Sequence, residues 1–148
     1  MENGVISSII RWFSLAVPKP TPDNQRVQFG VHVEEFSEML DAVKSKSLRG
    51  RLRLAIARWA TKGLATDLKT NKMDVYVDNR LEYLDSCCDQ IVTALGCAHM
   101  HKMDVVTGMQ RVSDSNWSKF TDGVPEFDEN GKIKKGKGYY KPTLIDLV

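Results

Sequence analysis

Apolar residues return every three or four positions along most of the chain, the spacing that places them on one face of a helix. Ile6, Ile9, Ile10, Phe13 and Val17 form the first such run, and Pro18, Pro20 and Pro22 end it because proline breaks a helix interior. Asp23 or Asn24 can cap a second helix, in which Phe29, Val33, Phe36, Leu40 and Val43 hold one apolar face to about Lys46. Ser47 can cap a third, running to about Thr66, where Leu48, Leu52, Ala55, Ile56 and Trp59 alternate with Arg49, Arg51, Arg53, Arg58 and Lys62. After a polar link, Asp67 to Lys72, the spacing predicts a fourth helix from about Asp74 to His101 and a fifth from Asp104 to Phe120.

No segment alternates with period two over the length of a strand. The stretch from Thr121 to Val148 carries Gly123, Pro125, Gly131, Gly136, Gly138 and Pro142, which predicts turns and extended chain. The expected fold is therefore all-α, a four- to five-helix bundle with an irregular C-terminal tail. At 148 residues the chain is expected to be one domain, 1–148, with 1–22 as N-terminal helix and proline-rich connector and 121–148 as a closing tail.

Charge changes this picture locally. The formal net charge of +2 is too small to imply nucleic acid or an acidic membrane as partner. Acids nevertheless gather in Glu34 to Asp41 and Asp74 to Asp89, and bases in Arg49 to Arg58 and Lys132 to Lys141. The three cysteines, Cys87, Cys88 and Cys97, lie in one apolar stretch, unlike a disulfide framework, and point to a reducing cytosol. Val5 to Val17 is too short for a transmembrane span and carries Arg11 in its middle, so no membrane association is expected.

Candidate chemistry follows from the two acidic runs. On a helix Glu34, Glu38 and Asp41 stand above one another with Glu35 to one side, either the solvated face of an amphipathic helix or a set of oxygen ligands. In the fourth helix Asp78, Glu82, Asp85 and Asp89 make a second stripe that runs into the apolar segment Ile91-Val92-Thr93-Ala94-Leu95-Gly96-Cys97. Asp89 is expected to be buried there, and a buried carboxylate needs a cation, a basic side chain or a metal ion. Acids at one-turn intervals on separate helices suit magnesium, which takes carboxylates, waters and substrate phosphates. Cys97 and His101 share a helix face, but without C-x-x-C spacing the cysteines read as small buried apolar residues rather than zinc ligands. His32 receives no role.

Glu34-Glu35-Phe36-Ser37-Glu38, followed by Asp85-Ser-Cys-Cys-Asp89-Gln-Ile-Val-Thr-Ala-Leu-Gly96, resembles the MazG-like and phosphoribosyl-ATP pyrophosphohydrolase-like superfamily of all-α nucleotide pyrophosphatases. The resemblance continues through Ser115-Asn116-Trp117-Ser118-Lys119, similar to an S-N-x-S-K segment. It ends in Gly131-Lys132-x-x-Lys135-Gly136-x-x-Tyr139-x-x-Pro142, similar to that family's tail. The resemblance implies a homodimer or homotetramer that binds magnesium, with manganese able to substitute, and cleaves a nucleoside triphosphate to monophosphate and pyrophosphate. It implies Glu35, Glu38 and Asp89 as metal ligands, with Asp85 replacing the acid that many relatives carry where this chain has Ser86. Glu34 is implied as a further ligand or as the residue that orients water, and Glu34 or Glu38 as the proton acceptor. Asn116, Lys119 and Lys135 are implied to hold phosphates, and Tyr139 and Pro142 to close the pocket. The pattern with Asp85 and Asp89 looks like that of phage-type members, which implies action in a host cytoplasm on the nucleotide pool. The competing expectation is a catalytically silent helical protein that uses the basic helix 49–62 for nucleic acid.

Overall fold

The structure, a computed structural model, describes residues 4–129 and 133–148, so Gly131 and Lys132 of the tail motif lie outside the described residues. The described chain is all-helical, as the spacing predicts. In order come α1 (Val5–Ala16), α2 (Pro22–Asp41), α3 (Leu48–Lys69), α4 (Arg80–Met100), α5 (Val105–Trp117) and a short 3₁₀ turn at Ile145–Leu147. These divide into two compact units, one of 1–18 with 77–148 and one of 19–76.

The smaller unit is the α2–α3 hairpin. Thr21, not Asp23 or Asn24, caps α2: its Oγ1 accepts from the Asn24 amide while Asn24 Oδ1 accepts from the Thr21 amide, and Pro22 supplies a preset first helical residue. The helix stops at Asp41, short of Lys46. Ser47 caps α3 as expected, accepting from the Gly50 amide at 3.0 Å. The helices approach closely because Gly30 lies against α3. A Cβ there would come within 3.0 Å of Leu68 Cβ and Lys69 Cγ. Ser37, Ala65 and Leu68 are the other buried apolar or small residues of this contact.

Cationic side chains then tie the two helices at both ends. Arg26 donates to the Leu68 carbonyl and to Asp23. Arg58 donates to the Leu40 carbonyl at 2.8 Å and to the Val43 carbonyl at 2.5 Å, covering backbone oxygens at and just past the C-terminal end of α2. Lys69 meets Glu34 at 2.5 Å.

In the larger unit α1 packs on α5, and α5 borders both α4 and the 3₁₀ turn. Its core is Trp12, Ala16 and Phe120, with Val17, Trp117 and Ile133 partly buried against it. The Trp12 and Phe120 rings stack with centroids 5.5 Å apart, and the Trp12 indole N–H donates to the Asn116 carbonyl at 2.9 Å. Helix α4 begins at Arg80, later than Asp74, because Val75-Tyr76-Val77 favours extended backbone and Asn79 supplies the cap, accepting from the Glu82 amide. Asp78 therefore precedes the helix rather than starting its acidic stripe. Helix α5 is capped by Asp104 through Thr107.

The tail runs as turns and extended chain. A tight turn closes at Thr121 and Val124, and Phe127 pairs with Ile133 in an isolated bridge. Gly136 then packs on the end of the α5 segment, its amide donating to the Lys119 carbonyl at 3.0 Å. A Cβ at Gly136 would sit 2.6 Å from that carbonyl oxygen, so only glycine allows the approach. Among the described residues no helix is long and apolar enough to cross a membrane.

Candidate functional site

The first acidic motif lies on α2 and the second on α4, in different units. On α2, Glu34 is half-buried and engaged by Lys69, and Asp41 meets Arg58 at 3.3 Å. The stripe of Glu34, Glu38 and Asp41 thus faces α3 closely enough for two of its acids to be neutralised there. Glu35 and Glu38 are exposed. The sequence offered only one sign of these pairs, the basic residues spaced along α3.

On α4 the expectation that Asp89 is buried does not hold. Asp85 and Asp89 are both exposed, Ser86 is half-buried, and no residue of α4 is buried. The physical reason is that an apolar helix is buried only when neighbours cover it, and α4 keeps its large side chains outward in this chain. The desolvation argument for a cation at Asp89 therefore falls away, and an accessible carboxylate remains. Within each unit, among the described residues, no three His, Cys, Asp or Glu side chains converge as a metal-binding group.

The cysteines are free, and the reading of all three as buried is likewise corrected: Cys87 is half-buried, Cys88 and Cys97 exposed. The His101 ring N–H donates to the Cys97 carbonyl at 2.8 Å, so this pair meets through backbone rather than sulfur. Burial raises the Tyr83 phenol above its ordinary pKa, and the neighbouring Cys87 adds to the shift.

The residues expected to hold phosphates come together more closely. Lys119 Nζ donates to Asn116 Oδ1 at 2.7 Å and lies over the Trp12 ring at 5.9 Å. The tail is fastened to the same stretch: Ser115 Oγ donates to the Tyr140 carbonyl at 2.7 Å, and the Tyr140 amide donates to Ser118 Oγ at 3.1 Å. Together with the Gly136 amide on Lys119, these bonds bring the S-N-x-S-K segment and the tail motif into one assembly. Lys135, next to Gly136, holds its ammonium over the Tyr139 ring at 4.8 Å. Pro142 lines a cleft of about 220 Å³ with Arg111, Asp114 and Tyr140.

One feature was not legible in the sequence. An open groove of about 960 Å³ runs between α1 and α5, lined by Ser7, Arg11, Gln110, Asp114, Trp117 and Tyr140. Its floor is fixed by the Trp117 indole N–H donating to Ser8 Oγ at 2.9 Å and by the Arg11 guanidinium over the Trp117 ring at 5.1 Å. These contacts join residues more than a hundred positions apart, which local periodicity does not reveal.

Comparison of the chain with protein-family profiles, curated proteins and solved structures finds no match.

Proposed function

We propose that this chain is a nucleoside triphosphate pyrophosphohydrolase that cleaves a (deoxy)nucleoside triphosphate to its monophosphate and pyrophosphate. In this reading it acts as a homodimer in the cytoplasm, the host cytoplasm for a phage-encoded chain, and serves nucleotide-pool control. The observation that carries the reading is the fastening of the Gly136 to Tyr140 tail onto Ser115 to Lys119, which gathers basic and amide side chains beside an aromatic core. Two motifs distant in sequence and expected to serve one ligand share one surface.

Glu35 and Glu38 on α2, and in the other unit Asp85 and Asp89 on α4, are hard oxygen donors open to solvent, each pair offering the donor chemistry that magnesium or manganese takes. When bound, the ion supplies charge neutralisation on the phosphate oxygens and activation of water. Glu38 is the better proton acceptor, because Glu34 is already engaged by Lys69 and serves to orient. Lys119 and Lys135 place positive charge for the leaving pyrophosphate, Asn116 positions Lys119, and Tyr139 and Pro142 border the nucleotide.

A panel of nucleoside and deoxynucleoside triphosphates incubated with magnesium, reading pyrophosphate release, tests the reading and identifies the base. Turnover of at least one is expected, and none on any nucleotide would sink the proposal. Glu38→Gln is expected to lower kcat by about 10²-fold or more, the scale of a lost proton acceptor. Asp89→Asn should lose metal-dependent turnover with an unchanged circular dichroism spectrum, since Asp89 is exposed.

The second reading, a silent helical protein that binds nucleic acid, draws on Arg49, Arg51 and Arg53, all exposed on α3. A salt-sensitive gel shift with DNA or RNA, alongside no turnover, would favour it.

A further inference from the structure

The groove between α1 and α5 is lined by two charges without partners. Arg11 and Asp114 both border it, and neither makes an ion pair among the described residues. Its volume of about 960 Å³ lies within the range, about 300–1,000 Å³, of sites that take small molecules. A cation, an anion and two aromatic side chains around one opening suit a flat ligand that carries both hydrogen-bond donors and acceptors.

The Arg11 guanidinium lies over the Trp117 ring at 5.1 Å, and the indole is held in turn by its N–H bond to Ser8. A guanidinium is planar and stacks on ring systems, so the pair makes a platform for a nucleobase. The exposed Tyr140 borders the same groove, its backbone fixed by Ser115 and Ser118.

Asp114 and Gln110 decide which base. They stand one helical turn apart on α5, and the Gln110 amide donates to Asp114 Oδ1 at 2.9 Å. An ionised carboxylate only accepts, and it has room for about four donors, so one amide leaves it able to take two adjacent N–H groups. Among the common bases guanine alone carries two such groups side by side on its pairing edge, N1–H and the 2-amino group. Adenine and cytosine set an acceptor beside their amine, and uracil and thymine place one N–H between two carbonyls. Each of these would aim a lone pair at the carboxylate. Gln110 Nε2 stands beside Oδ1, and its second N–H matches guanine O6, the acceptor next to N1–H.

We infer that the groove binds a guanine ring, stacked on the Arg11–Trp117 pair and read by Asp114 through N1–H and the 2-amino group, with Gln110 at O6. The inference stands on this groove alone and does not need the hydrolysis proposed above.

Isothermal titration of the full chain with the four common ribonucleosides tests it. Guanosine should bind about tenfold or more tighter than adenosine, cytidine or uridine, the scale of one bidentate pair. Its addition should shift the Trp117 indole N–H resonance and leave that of Trp59, in the other unit, in place. Asp114→Asn should lose guanosine by a similar factor and gain xanthosine, which carries a carbonyl where guanine has its 2-amino group and so accepts from the new amide. That gain also shows the variant to be folded. A wild-type chain without preference for guanosine overturns the inference, as does an Asp114→Asn chain that binds guanosine unchanged. Turnover of guanosine triphosphate then gives the source of the ring: Asp114→Asn raising KM at unchanged kcat marks it as the substrate's base, and unaltered kinetics with lost guanosine binding as a separate nucleotide's. Guanosine binding without turnover of any triphosphate would leave the groove assignment standing and remove the hydrolysis alone.

Discussion

The two units solve helix packing in opposite ways. In the α1–α5 unit the contact is aromatic: Trp12 stacks on Phe120, Trp117 meets Phe120 edge-on, and the indole N–H groups find Asn116 and Ser8. In the α2–α3 hairpin the contact is made by Gly30, Ser37, Ala65 and Leu68, and charged side chains finish it. Small residues let the backbones approach but leave the large ones elsewhere. Phe36 is 48% and Trp59 80% exposed. The difference teaches that an apolar stripe and a helix–helix contact need not coincide: on α1 the stripe residues Ile6 and Ile10 stay 57% and 60% exposed while Trp12 and Ala16 make the contact, and on the hairpin the stripe likewise lies largely outside a contact of small residues.

The largest expected effect tests the aromatic side of this comparison. Trp12→Ala removes the ring that joins α1, Phe120 and the Asn116 carbonyl, and should cost about 3–5 kcal/mol, the range for deleting a large core aromatic. Urea unfolding measures the loss. Amide hydrogen exchange locates it, with α1 and α5 expected to lose protection while α2 and α3 keep theirs. Equal loss in both units would show that they unfold as one and would break the comparison.

A smaller effect is expected on the hairpin side. Gly30→Val places branched carbon where a single Cβ already meets Leu68 and Lys69 at 3.0 Å, so the helices must separate. Glycine is a poor helix former, so valine regains part of the cost through propensity. The crowding should still leave a net loss of about 1–3 kcal/mol, read by urea unfolding and by faster exchange in α2 and α3. A stabilised protein would mean that the close approach is not what holds the hairpin.

Much of the fold was legible because helix spacing is a local signal. The five helices, the Ser47 cap and the irregular tail all follow from residues within a few positions of one another. The start of α4 is not legible from hydropathy, because Val75-Tyr76-Val77 is apolar enough to extend the run while favouring extended backbone. The exposure of Asp89 is hidden for a different reason: an apolar surround in sequence says what a helix offers, not what covers it. The Lys69 partner of Glu34 was hidden by a separation of 35 residues, and the docking of Gly136 on Lys119 by a turn that only the folded tail makes.

The smallest expected effect concerns the end of the chain. Arg111 holds Asp146 through both carboxylate oxygens, at 2.5 and 2.8 Å, and also donates to the Thr143 carbonyl. The Leu147 carbonyl accepts from the Asp104 amide, so the 3₁₀ turn is strapped to the start of α5. The Arg111 hydrogen bond holds the Asp146 carboxyl below its usual pKa. A carboxyl lowered in the folded state contributes its stabilisation above the unfolded pKa and gives it up as pH falls through the folded one. The strap should therefore hold at neutral pH, weaken below the ordinary carboxylate range, and be little altered by alkali up to the guanidinium range. Because the pair is open to solvent, salt should loosen it and the overall melting temperature should barely move. Exchange at the Leu147 amide reads the local change, and Asp146→Asn should reproduce the acid state at pH 7. A strap equally firm at pH 3 would show that the Leu147–Asp104 backbone bond, rather than the ion pair, ties the tail to this unit. The contrast with the hairpin would then be sharper, since its ion pairs join two helices whereas this one would only decorate a tail already held by its backbone.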